Sequence, residues 1–157
     1  MKANEKGGHN MLIYGLKIKV SELTDSMRSY ILNELKGTML VMPYDQKPLY
    51  NMFEEFCKNH KEYNSSAAAE EWFTDMDWYG YTPAWILCEI INKKENLALS
   101  CESDVFGCPM ACPWDFEKNM KTLTEEGFKK IIDKYMESMG IAEGDLPSVC
   151  EWDTTML

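Results

Sequence analysis

Residues 82–101, TPAWILCEIINKKENLALSC, contain both a helix and a strand and set the fold class. Thr82 offers a side-chain cap and Pro83 suits the first helical position, which predicts a helix over about 83–94. Ala84, Trp85, Ile86, Leu87, Cys88, Ile90 and Ile91 make that helix apolar nearly all round, so it is expected to be central and buried. Asn96 closes it, and Leu97 to Cys101 then read as a strand.

The same alternation of element types continues on both sides. Upstream, residues 12–20, LIYGLKIKV, read as a first strand. Ser21 and Thr24 can cap a helix over about 24–36, with Met27, Ile31 and Leu35 on its apolar face and Gly37 as the stop. Residues 38–42 form a strand candidate ended by Pro43, and Pro48 opens a helix over about 48–60. Ala67 to Phe73 can form a short helix after the turn signal Asn64-Ser65-Ser66. Downstream, residues 104–107 read as a hairpin turn into a strand near 108–112. Thr122 and Glu125 have capping-box spacing before a helix over about 124–139, which Gly140 stops. In the tail, Trp152 is a candidate docking residue.

Short strands intermixed with helices predict an α+β domain. The expected architecture is a small antiparallel sheet packed by about four helices, a single domain over residues 11–157. Residues 1–10, MKANEKGGHN, are polar and read as a leader or tail outside it. One back-translation of residues 6–11, AAA GGA GGT CAC AAC ATG, contains a bacterial ribosome-binding sequence before a start codon at Met11. On that reading the gene is bacterial, or belongs to a phage or mobile element.

Composition excludes several classes of function. Apolar residues make up 45% and charged residues 27%, ordinary globular usage. No run approaches the roughly 18–20 apolar residues of a membrane helix. The formal charge is −10, and Arg28 is the single arginine, so direct nucleic-acid binding is not expected. With no export signal visible, the six cysteines read as free thiols in a reducing cytoplasm. No Gly-rich loop links a strand to a helix, and no cofactor is expected. His60 is the only histidine outside the leader, at the end of a helical apolar face, where a structural imidazole is the ordinary occupant. Cys57, His60, Cys108 and Cys112 could supply four zinc ligands, although neither pair forms a specific motif. A zinc-stapled or purely structural module is therefore an alternative, as is an enzyme with an unrecognised site.

The remaining signal is the placement of acids. Sixteen fall in three blocks free of lysine and arginine: 62–92, 95–117 and 136–157. Segregated charge steers partners of opposite sign. In the first block Glu70, Glu71, Asp75 and Asp77 alternate with Trp72, Phe73, Trp78 and Tyr79. Aromatic anchors among acids would suit a basic protein surface. Aromatics facing the core with acids facing water would produce the same letters. The expected function is a non-enzymatic binding protein with Glu70, Glu71, Trp72, Asp75, Asp77 and Trp78 as its contact residues. Its expected partner is a basic nucleic-acid-handling protein such as a nuclease. An anti-CRISPR or other anti-defence inhibitor is the concrete case.

Overall fold

The computed structural model describes residues 12–110, 123–141 and 150–153. The leader expected over residues 1–10, Met11 and Cys112 lie outside them.

Alternating apolar residues pair the ends of the chain into one sheet. Strand β1 (Leu12–Lys17) runs antiparallel to β3 (Val105–Met110) on one side and to β4 (Cys150–Asp153) on the other. Strand β2 (Ser100–Glu102) forms a tight hairpin with β3 through Ser103 and Asp104. The sheet order is β2-β3-β1-β4, antiparallel throughout, as expected of a small α+β sheet. In β1 and β3, Tyr14, Leu16, Phe106, Cys108 and Met110 join the helical core. Ile13 and Val105, pointing the other way, are also buried. Trp152, opposite Ile13 in register, donates its indole N–H to Gly15 O at 3.1 Å. Gly15 stands directly opposite Gly107, where the two backbones approach closely. A Cβ on Gly15 would overlap Phe106 O, and one on Gly107 would overlap Tyr14 O.

Five helices share one core with the sheet among the described residues: α1 (Asp25–Thr38), α2 (Leu49–Asn59), α3 (Ser65–Trp78), α4 (Pro83–Glu95) and α5 (Glu125–Ser138). A 3-10 turn, Val20–Glu22, links β1 to α1. As its composition predicts, α4 is the central helix. It packs on β2, β3 and α1, with Ala84, Ile86, Leu87, Cys88, Ile90 and Ile91 all buried. Thr82 caps it by accepting from Trp85 N–H, and its hydroxyl donates to Ser103 O at 2.7 Å, tying α4 to the β2–β3 turn. Phe128 of α5 contacts Tyr14 of β1, and Ser26 of α1 donates to Met139 O just beyond α5.

Several boundaries differ from expectation. Gly37 does not stop α1. The helix runs to Thr38, and Met39 turns the chain in the left-handed region. The strand expected over 38–42 reduces to one bridge, Val41 to Pro48. The first strand ends at Lys17, and Val20 to Glu22 form the 3-10 turn instead. The second hairpin strand starts at Val105, so Ser103 and Asp104 make the turn expected over 104–107. Thr124 caps α5, accepting from Gly127 N–H at 2.9 Å, and Thr122 of the expected capping box lies outside the described residues. The helix expected over 67–73 extends from Ser65 to Trp78, which carries the site residues of the first acidic block onto one rigid element.

Candidate functional site

Helix α3 begins where Asn64 accepts from Ala67 N–H at 2.8 Å, satisfying an otherwise unpaired first-turn donor. It ends in a Schellman motif: Tyr81 N–H donates to Met76 O at 2.9 Å, and Gly80 N–H to Asp77 O at 3.0 Å. Gly80 supplies the left-handed residue this requires, at φ +98°. Both ends of the helix are therefore fixed, and so is its rotational setting.

That setting divides its residues. Ala68, Ala69, Trp72, Phe73 and Met76 recur at helical spacing and are buried. Trp72 is 3% exposed and meets Phe53 of α2 edge-on, with ring centroids 5.4 Å apart. This corrects the expectation that Trp72 is a contact residue: it is an interior packing element, and Phe73 is more deeply buried still. Glu70, Glu71 and Asp75 are exposed and Asp77 is half-buried. Glu71, Asp75 and Trp78 follow at i, i+4 and i+7 and so share one stripe, with Glu70 and Asp77 along its margin.

The stripe ends in two uncovered aromatic rings. Trp78 is 83% exposed, and Tyr79, the next residue, is 76% exposed. Single exposed apolar side chains are ordinary, as Tyr44 at 91% exposure is here, and what sets this helix end apart is that two such rings are adjacent. Just past Gly80, the Tyr81 and Trp85 rings meet at a 60° tilt with centroids 5.1 Å apart, both partly buried. The four acids of the stripe form no ion pair with a lysine or arginine among the described residues. Burial raises the affinity of Asp77 for its proton, and the facing carboxylate of Asp104 adds to the effect. Asp104, brought from the β2–β3 turn, is a member of this acidic corner that sequence spacing alone does not reveal.

Charge segregation is less complete elsewhere. Glu95, from the second base-free block, pairs with Lys134 at 2.6 Å and accepts from the Tyr135 hydroxyl at 2.8 Å. Both contacts lower its pKa, the lysine more. Asp115, Glu117, Glu143 and Asp145 lie outside the described residues.

The zinc ligand candidates fall on different elements. Cys57 is half-buried on α2, and Cys108 is fully buried in β3. Burial pushes the Cys108 thiol up to about 12, where the thiolate a metal needs is scarce. The His60 imidazole lies 2.9 Å through Nδ1 from Phe56 O and stacks on the Phe56 ring at 4.1 Å, a structural role. Among the described residues no three His, Cys, Asp or Glu side chains group as metal ligands. No helix in those residues is long and apolar enough to cross a membrane.

Compared with protein-family models, curated proteins and solved structures, the chain matches none, so the site is read from its own geometry.

Proposed function

We propose that the protein acts by binding, through the outer stripe of α3, a basic surface on a nucleic-acid-handling protein. The observation that carries this reading is the exposed pair Trp78 and Tyr79 at the end of an acidic helix face with no lysine or arginine partners among the described residues. Glu70, Glu71, Asp75 and Asp77 supply the field that steers association, and the two rings supply apolar contact area. Trp78 and Tyr79 take the anchoring part that Trp72, in the core, does not. The carboxylates would meet the Lys/Arg groove that otherwise holds phosphate, which makes the protein a steric and electrostatic inhibitor. An anti-defence protein of a phage or mobile element, of anti-CRISPR type, is the biological setting this mechanism fits. The function is not enzymatic on this reading.

The test is affinity capture from bacterial lysate with the native protein and with a Glu71→Lys, Asp75→Lys, Trp78→Ala variant. The expected capture is a basic nucleic-acid-binding protein that is lost in the variant, released by high salt, and displaced by an oligonucleotide. A captured protein that stays bound to the variant, or that binds DNA and this protein simultaneously, removes the proposal.

A further inference from the structure

The chain's single arginine is on the wall of a cavity. Arg28, on α1, is 9% exposed and lines a space of about 380 Å³ between α1, α2 and the start of α3. A guanidinium carries five N–H donors and is costly to bury unless they are met. Here Nη1 donates to Leu23 O at 2.9 Å and Nη2 to Asp25 Oδ1 at 2.6 Å. The Nε–H, sealed from solvent, has no acceptor among the described residues. Each terminal nitrogen also carries a second N–H beyond the hydrogen bond it makes here, so the guanidinium has donors left to offer a ligand.

The rest of the lining is ordered by chemistry. Ser29, Asn33, Ser65 and Ser66 bring short polar side chains. Ser65 and Ser66 also open α3, whose N-terminal end carries partial positive charge. Tyr50 and Phe53 stand 6.1 Å apart, centroid to centroid, and line the same space with Leu32. The lining thus combines a guanidinium and hydroxyls with two aromatic rings, and the Lys36 ammonium lies over the Tyr50 ring at 5.7 Å.

Asp25 is the anion now held on Arg28. Its carboxylate receives Arg28 Nη2 and the Ser66 hydroxyl, the latter at 2.9 Å, and both hydrogen bonds lower its pKa. Its side chain is 74% exposed, whereas that of Arg28 is 10% exposed. An exposed carboxylate held on a buried guanidinium can swing into water and be replaced by another anion.

We infer that this cavity is a binding site for a small aromatic anion, with the acid group exchanging for Asp25 on Arg28 and Ser66 and the ring lying against Tyr50 and Phe53. Phosphate monoesters and carboxylates share the chemistry that Arg28 reads. The site is separate from the α3 stripe and does not depend on its role.

The test is an NMR titration of amide shifts at pH 7 with phenyl phosphate, phenylacetate, inorganic phosphate and benzyl alcohol as probes. At least one of the first two is expected to give saturable shifts centred on Ser29, Asn33 and Ser66, tighter than inorganic phosphate or benzyl alcohol alone. The stronger of the two identifies the acid class. Asp25→Asn removes the internal competitor at an exposed position and should tighten that binding several-fold. Arg28→Lys should abolish it, with circular dichroism checking that the variant folds. No saturable shift in either the native protein or Asp25→Asn overturns the inference. Equal binding of benzyl alcohol, or weaker binding in Asp25→Asn, does so as well.

Discussion

Asp25 and Asp77 respond to folding in opposite directions. Asp25 is held below the ordinary carboxylate range by hydrogen bonds from Arg28 and then Ser66. Its contribution to stability is present above the unfolded pKa and is lost as pH falls through the folded one. Asp77 is pushed up by burial and then by Asp104. The folded state then holds more protons than the unfolded state between the two pKa values, so stability falls as pH rises through that window. Asp77→Asn should therefore melt higher than the native protein at pH 7, and the gain should vanish near pH 3. Asp25→Asn should melt lower at pH 7, with the deficit closing on acidification. Thermal melts across that pH range check both signs. The aromatic pair on α3 is a second contrast. Trp72→Ala empties a packed interior position and should cost about 3–5 kcal/mol, while Trp78→Ala should stay within about 0.5 kcal/mol. Urea denaturation of both variants checks this. The sequence could not assign these two tryptophans while the helix was expected to end at Phe73. Continued to residue 78, the same periodicity puts Trp72 on a line with Ala68 and Met76, inside, and Trp78 with Glu71 and Asp75, outside.

At the level of elements, caps with a unique chemistry were readable. Thr82-Pro83 opens α4, Asn96 ends it in the left-handed region, and Gly140 stops the chain after α5. Signals with two acceptable readings were not. Thr122 and Thr124 both precede an acidic first turn, and Thr124 accepts from Gly127 N–H, whereas Thr122 lies outside the described residues. Gly37 resembles a stop, yet it lies inside α1 with open space around the position of a Cβ. Gly37→Ala should thus stabilise the protein by about 0.4–1 kcal/mol. Gly80 also has room for a Cβ, but its φ of +98° opposes any L side chain. Gly80→Ala should cost about 1–2 kcal/mol. It should also loosen the setting of Trp78 and Tyr79, since the Schellman bonds around Gly80 fix the end of α3. Chemical denaturation of the two alanine variants, identical in composition change, separates the two effects. Strand β4 is not legible in the sequence because Cys150–Asp153 is only four residues long, too short for its Cys-Glu-Trp-Asp alternation to mark it. Only its pairing with β1 makes it a strand.

In the whole molecule, that short strand covers an edge. β1 pairs on one side with β3 and on the other with β4, where the Trp152 indole holds Gly15 O and lies under the Lys17 ammonium at 5.6 Å. Removing residues 150–157 should expose a row of unpaired β1 backbone groups. The expected outcome is lower thermal stability and concentration-dependent association, read by light scattering. The general class, an antiparallel sheet packed by helices, was legible because strand and helix signals alternate along the chain. The strand order was not, because it depends on contacts between residues far apart. The central strand is the first one made, and its partners are Val105–Met110 and Cys150–Asp153. On the ribosome, therefore, β1 must wait beside α1 to α4 with both hydrogen-bonding edges open until those segments leave the exit tunnel. A nascent chain stalled before residue 105 would present a sticky apolar ribbon, suited to early capture by a chaperone.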